Sequence, residues 1–148
     1  MTPTQTIAQT TATSQTAQYQ GISRKRLWTG RILTGLCSAF MIMDGVMKLF
    51  KPAFVVQANA QLGYPESTLV GIGVALLVST VLYLVPRTSV LGVVLLTAYL
   101  GGAVATGVRV LAPAFNIVFP VAFACLLWAG LGMRDARIGQ LLLFAEER

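Results

Sequence analysis

Four long apolar segments, separated by short stretches that contain proline, constrain this chain more than any other feature. They cover residues 27–50, 64–85, 89–111 and 114–132. A helix crosses the hydrocarbon core of a bilayer with about 20 predominantly apolar residues, so each segment is long enough to span a membrane. Backbone polar groups within lipid must be satisfied internally, which favours helices. We therefore expect an all-α protein that folds as a four-helix transmembrane bundle.

The composition supports a membrane protein and excludes several other classes. Hydrophobic residues make up 55% of the chain and charged residues 11%, with a mean hydropathy of +0.73. The net charge is +6, but the basic residues flank the apolar segments, so we interpret them as topology signals and expect no nucleic-acid partner. The chain has no histidine, and Cys37 and Cys125 form no ligand motif, so we expect no metal site.

The distribution of basic residues predicts the orientation in the membrane. Four spans place both termini on one side, and most of the Lys and Arg residues fall on that side: Arg24, Lys25, Arg26, Arg31, Arg87, Arg134, Arg137 and Arg148. Only Lys48, Lys51 and Arg109 fall on the other. Basic residues favour the cytoplasmic side, so we expect cytoplasmic N and C termini. Trp28, Tyr83 and Trp128 are then expected to form an aromatic belt near the cytoplasmic interface.

A short amphipathic segment lies between the first and second spans. In 53–62 the apolar side chains of Phe54, Val55 and Leu62 share one side, and Gln57 and Gln61 lie opposite. This pattern predicts a short interfacial helix on the membrane surface. The alternative is a flap that covers the neighbouring site around Asp44.

Two ionisable residues interrupt the apolar first span. Asp44 and Lys48 are four residues apart and share a helix face, so they can form an ion pair. Charges at membrane depth are costly, which makes them candidates for function. The alternative is a structural clamp in which Lys48 reaches the interface and neutralises Asp44.

Arg109, near the outer end of the third span, is expected at a depth close to that of Lys48. A cluster of Asp44, Lys48 and Arg109 has a net charge of +1 when all three are ionised, which suits an anionic or carbonyl-bearing ligand. In a second arrangement, Asp44 binds Arg109 as a staple between two helices and Lys48 goes to water. The sequence leaves both arrangements open.

The third span also carries small residues spaced four apart. Such spacing lets helix backbones approach closely in lipid. Helix packing is the expected role of Gly101, Gly102, Ala105 and Gly107. Thr106 lies in the same run and is a candidate binding residue.

Several stretches, taken in their order, resemble the DoxX-like family of small membrane proteins. They are RILTGLCSAFMIMDGVMKLFKP, QLGYPES, VLYLVPRTSVLGVVLLTAYLGGAVATGVRV and VFPVAF. The resemblance extends from about Trp28 to Ile138. The stretch before it is rich in Thr, Gln, Ala and Ser, which predicts a polar, disordered tail at 1–22. A DoxX-like four-span domain at 23–138 and a cytoplasmic tail at 139–148 are expected to follow.

The resemblance implies a four-helix bundle in a bacterial inner membrane. The family includes subunits associated with thiosulfate:quinone oxidoreduction and with oxidative-stress complexes. It implies that Asp44, Lys48 and Arg109 occupy polar positions of the family, with the loop residues Tyr64 and Glu66 beside them. Related sequences often carry histidine at the positions of Gly107 and Asn116, which weakens the case for metal or haem chemistry here.

The leading functional hypothesis is an accessory or quinone-linked component of a membrane redox or stress-response system. We do not expect the chain to be an enzyme on its own. A quinone is the implied cofactor, and the expected partners are the lipid bilayer, a membrane or redox protein and a second copy of the chain. Two alternatives remain: a small-solute transporter subunit, and a structural or assembly protein without catalysis.

Overall fold

Four long helices and one short helix make up the computed structural model. They are α1 (Arg24–Phe50), α2 (Ala53–Gln61), α3 (Glu66–Leu84), α4 (Ser89–Arg109) and α5 (Ala114–Arg134). All but α2 are long and apolar enough to cross a membrane. The structure describes residues 24–135 and Ile138, so the predicted tails at 1–22 and 139–148 lie outside it. The predicted four-span architecture with a short helix after the first span is confirmed.

The four spans stand at the corners of a square. Helix α1 packs against α3 and α5, and α4 packs against the same two helices, so α1 and α4 are diagonal. The start of α1 and the end of α5 meet at one end, where Arg26 Nη2 donates a hydrogen bond to the Gly132 carbonyl oxygen at 3.2 Å. We call this the terminal end. The opposite end, which carries α2, is the loop end.

Prolines mark where the helices begin. Pro52, Pro65 and Pro113 directly precede α2, α3 and α5. The fixed φ of proline suits a helix start, and its missing N–H removes no helical hydrogen bond there. Pro120 is different because it lies inside α5.

A packed core fills the terminal half of the bundle. It contains Leu76, Tyr83, Val93, Leu96, Leu127 and Leu131, all of them fully buried. Tyr83 donates its hydroxyl hydrogen bond to the Leu127 carbonyl oxygen at 2.8 Å. The half-buried Trp128 donates its indole N–H to Thr97 Oγ1 at 3.0 Å. Tyr83 and Trp128 therefore do not form the predicted interfacial belt with Trp28, because their polar atoms find partners inside the bundle.

Glycines permit the closest approaches between helices, but not the glycines that the small-residue spacing predicts. A Cβ on Gly92 would lie 2.1 Å from the Tyr83 nitrogen, and a Cβ on Gly73 would lie 2.9 Å from the Gly45 carbonyl oxygen.

Within a single chain, the predicted packing residues of α4 do not provide such an approach. A Cβ on Gly101 or Gly102 would meet nothing within 4 Å, and Ala105 is exposed. Only Gly107 is buried, where an added Cβ would lie 3.4 Å from Ile117 Cγ1, an ordinary contact distance. Small side chains allow close packing but do not require it, and the neighbouring helices lie elsewhere.

Candidate functional site

A cavity of about 530 Å³ occupies the loop half of the bundle. Side chains from all four spans and from the end of α2 line it. Ligand sites for small molecules have volumes of about 300–1,000 Å³, so the cavity is large enough for a small ligand. It lies between the loop end and the packed core of the terminal half.

An ion pair stands at one wall of this cavity. Lys48 Nζ donates to Asp44 Oδ1 at 2.5 Å, so the predicted pair forms. Lys48 is 8% exposed and lines the cavity, whereas Asp44 holds it from one helical turn away. A lysine ammonium has three donor hydrogens, and Asp44 uses one of them. Lys48 can therefore donate a hydrogen bond to a ligand while its charge stays balanced.

Tyr99 completes this network and was missed by the sequence analysis. Its hydroxyl donates to Asp44 Oδ2 at 3.1 Å, and Tyr99 also lines the cavity. A tyrosine in the middle of an apolar span needs a partner for its O–H group, and this need could have identified Tyr99 from the sequence. Both oxygens of Asp44 are thus occupied, one by Lys48 and one by Tyr99.

Two hydrogen bonds join the loop before α3 to the end of α4. Tyr64 donates its hydroxyl hydrogen bond to Thr106 Oγ1 at 2.8 Å, since Thr106 uses its only hydrogen to donate to the Gly102 carbonyl oxygen at 2.9 Å. Arg109 Nη2 donates to the Leu62 carbonyl oxygen at 3.1 Å. We call these two contacts, Tyr64 to Thr106 and Arg109 to Leu62, the loop latch. Tyr64 and Thr106, both candidate residues from the sequence, line the cavity.

Arg109 does not join Asp44 and Lys48 in the predicted three-charge cluster. Among the described residues, the ion pair of Asp44 is with Lys48 alone, so the alternative staple between Asp44 and Arg109 is not formed either. The reason is depth: Arg109 is the last residue of α4, whereas Asp44 lies six residues before the end of α1, about 9 Å along the helix axis. Arg109 reaches the nearer loop carbonyl instead.

Glu66 also lies apart from the cavity lining. Its carboxylate accepts a hydrogen bond from Lys51 Nζ at 3.3 Å on the exposed surface. This contact links the end of α1 to the start of α3 and brackets α2. The structure therefore assigns Glu66 a surface ion pair.

The short helix α2 combines features of both predicted alternatives. It packs on α3 without any buried residue, and Phe54 is 61% exposed, as expected for a helix at the membrane surface. At its end, Asn59 and the following Leu62 line the cavity. Helix α2 thus lies on the surface and covers part of the site.

Phenylalanines from α5 form an apolar wall of the same cavity. Phe115 and Phe119 line the cavity, with ring centroids 5.5 Å apart. The ring centroid of Phe119 also lies 5.6 Å from that of Phe123 and 5.7 Å from that of Phe40 on α1. Phe115 is 71% exposed, so this wall also faces the lipid. The sequence could have indicated this wall, because the four-residue spacing of Phe115 and Phe119 places both rings on one helix face.

The lining suits a ligand that has both an oxygen acceptor and an apolar ring or chain. Lys48 supplies a donor, and Asn59 and Asn116 add amide groups. Gly107 and Asn116, where the resemblance implies histidine in related sequences, both line the cavity. Within the described part of the chain, no group of three or more His, Cys, Asp or Glu side chains converges to hold a metal ion.

Comparison with known proteins identifies the family. No curated protein and no solved structure gives a match to the chain. A model of the DoxX-like family matches residues 32–130, which include α3, α4 and most of α1 and α5. The match covers more than half of the chain and contains every residue that lines the cavity. The protein therefore belongs to the DoxX-like family and is a multi-pass membrane protein.

Proposed function

We propose that the cavity binds a lipophilic, carbonyl-bearing molecule of the quinone class. On this proposal the protein is an accessory, quinone-linked component of a membrane redox or stress-response system. One observation carries the proposal: the ammonium group of Lys48 and the phenylalanine wall of α5 face the same cavity of about 530 Å³. The ammonium group matches the carbonyl oxygen of a quinone, and the phenylalanine wall matches its ring.

Each part of a quinone has a counterpart in the cavity. A carbonyl oxygen accepts a hydrogen bond from Lys48 Nζ, whose charge Asp44 balances. The planar ring packs against Phe115 and Phe119, since aromatic rings favour offset or edge contacts with one another. An apolar tail extends past the exposed Phe115 into the bilayer. The chain's own role is to bind and orient the ligand, and electron transfer belongs to a partner protein.

The packed core between the cavity and the terminal end favours ligand binding over transport through one chain. Leu76, Leu96 and Leu127 are fully buried between the cavity and the terminal end. A solute that entered the cavity would have to displace this core to reach the other side of the membrane. The transporter alternative therefore requires a pathway between copies of the chain.

We propose a bacterial inner membrane as the location, with the terminal end in the cytoplasm. The described residues at the terminal end include six basic side chains: Arg24, Lys25, Arg26, Arg31, Arg87 and Arg134. Only three lie at the loop end: Lys48, Lys51 and Arg109. Basic residues are retained on the cytoplasmic side during insertion. Reporter fusions at the C terminus that are active only in the cytoplasm, or only outside it, test this orientation.

Two neighbouring glycines allow a matched test of ligand binding. Gly102 lines the cavity, whereas Gly101 does not, and a Cβ on either would meet nothing within 4 Å. Gly102→Leu is expected to fill the cavity without disturbing the helix, and Gly101→Leu is the control. Binding of decylubiquinone to the purified protein in detergent is measured by isothermal titration calorimetry.

We expect the unchanged protein and Gly101→Leu to bind decylubiquinone equally, and Gly102→Leu to bind at least about tenfold more weakly. Lys48→Met is expected to weaken binding as well, with Lys25→Met as its control because Lys25 is an exposed lysine of the same helix outside the cavity lining. Equal binding by Gly102→Leu and the unchanged protein would show that the quinone does not occupy this cavity. Absence of binding by the unchanged protein would overturn the quinone assignment.

A further inference from the structure

A second cleft, at the terminal end, has a lining unlike that of the first cavity. It has a volume of about 380 Å³ and lies between α1, the turn before α4 and the end of α5. Its lining consists of Arg31, Pro86, Ser89, Arg134 and Asp135. We propose that this terminal cleft binds the phosphate group of an anionic phospholipid. The proposal does not depend on the quinone assignment, because the two sites lie at opposite ends of the bundle.

Arg134 is held in place at the cleft by Tyr83. Its Nη2 donates to the Tyr83 carbonyl oxygen at 3.0 Å, and its guanidinium carbon lies 5.4 Å from the centroid of the Tyr83 ring. A guanidinium has five N–H donors in a planar fork that matches phosphate oxygens. The contact with the Tyr83 carbonyl uses one donor, so Arg134 can present others to a phosphate group in a fixed orientation.

Arg31 supplies a second positive charge from α1. It is exposed, and no acidic side chain among the described residues lies within ion-pair distance of it. Asp135 also lines the cleft and has an interaction of its own. Two arginines and one aspartate give the lining a net charge of +1, which favours an anion.

The depth of the cleft matches the level of lipid head groups. Helices α4 and α5 each have 21 residues, about 31 Å of helix, which is close to the ~30 Å thickness of the hydrocarbon core. Ser89 is the first residue of α4 and Arg134 the last of α5. The cleft therefore lies where the hydrocarbon ends and the phosphate groups of the lipids begin.

The neighbouring side chains favour a lipid over a free phosphate ion. Ile32, next to Arg31, is 63% exposed, and Val85 and Val90, which flank the turn of Pro86 and Ser89, are 42% and 48% exposed. These side chains lie on spanning helices or at their ends, where acyl chains contact the protein. A phospholipid can thus place its phosphate in the cleft and its acyl chains along this apolar surface.

The test uses the full-length protein in a neutral detergent, with lipid binding measured by native mass spectrometry. Phosphatidylglycerol is titrated against the unchanged protein, with phosphatidylcholine as the zwitterionic comparison. Arg31→Gln removes one charge from the cleft without breaking an ion pair between described side chains. Lys25→Gln is the matched control, because Lys25 is an exposed basic residue of the same helix that does not line the cleft.

We expect phosphatidylglycerol to bind more tightly than phosphatidylcholine, and Arg31→Gln to weaken phosphatidylglycerol binding about tenfold, as expected for one charge-assisted hydrogen bond. Lys25→Gln should change it less than twofold. An equal loss in both variants would overturn the proposal in favour of diffuse attraction to the basic terminal end. No loss in Arg31→Gln would also overturn it, and displacement of the lipid by millimolar inorganic phosphate would show that the cleft selects a free anion.

Discussion

Tyr99 on α4 and Asp44 on α1 are hydrogen-bonded across the diagonal of the bundle, with 3.1 Å between the tyrosine hydroxyl and Asp44 Oδ2. This hydrogen bond links the two helices beside the cavity. We expect Tyr99→Phe to lower the free energy of unfolding by about 1 kcal/mol, the net contribution of one hydrogen bond. The loss should vanish when Asp44→Ala is already present, because Tyr99 then has no side-chain acceptor at residue 44. Detergent unfolding curves for the single and double variants measure this coupling, and additive losses would contradict it.

Removing one charge of the Asp44–Lys48 ion pair should lower the free energy of unfolding more than removing both charges. Asp44→Asn leaves the nearly buried Lys48 without its counter-ion, and we expect a loss of about 2 kcal/mol in unfolding free energy. The double variant Asp44→Asn with Lys48→Met should recover part of that loss, because no unpaired charge then remains. Unfolding in sodium dodecyl sulfate provides the measurement. A double variant less stable than Asp44→Asn would contradict this account.

The loop latch should control the opening of the segment that covers the cavity. Arg109→Gln and Tyr64→Phe each remove one of its two hydrogen bonds. We expect faster hydrogen exchange across 53–64 in both variants, by about fivefold for one lost bond of about 1 kcal/mol, with unchanged exchange in α5. Arg87→Gln, at the terminal end, is the control. Exchange that rises equally throughout the protein would indicate global destabilisation instead.

Alanine substitutions at two glycines of α4 should change the stability of the protein in opposite directions. A Cβ on Gly92 would lie 2.1 Å from the Tyr83 nitrogen, so Gly92→Ala forces α3 and α4 apart, and we expect a loss of at least about 2 kcal/mol. Gly101→Ala meets open space and should stabilise the helix by up to about 1 kcal/mol. Thermal unfolding in detergent compares them. Equal destabilisation would mean that Gly101 also packs against a helix, as it would in an oligomer.

The sequence predicted the helices well because length, hydropathy and proline positions determine them. The predicted third span began at Ser89, as α4 does, and the predicted fourth began at Ala114, as α5 does. The pairing of Asp44 with Lys48 was equally accessible, since spacing along a single helix places both side chains on one face.

Contacts between helices were harder to predict, because they depend on how each helix is rotated and how deep it lies. In lipid both faces of a span are apolar, so the sequence pattern does not show which face points inward. Gly102 was therefore expected to pack against a helix, and it lines the cavity. Arg109 was expected close enough in depth to Lys48 to join the cluster, but it ends α4 and donates to the Leu62 carbonyl oxygen instead.

Pro120 gives the cavity a feature that an alanine scan of its other side chains would not detect. In an uninterrupted helix, the N–H of residue 120 would donate to the carbonyl oxygen of Asn116, and proline has no such hydrogen. Both residues line the cavity, so the wall of α5 contains a backbone acceptor without its helical donor. For the quinone proposed as ligand, an acceptor of this kind would suit the O–H group of the reduced form, whereas Lys48 would suit the carbonyl of the oxidised form. On that proposal the backbone of α5 would offer a means of distinguishing the two oxidation states of the ligand, and Pro120→Ala is the substitution that would remove it.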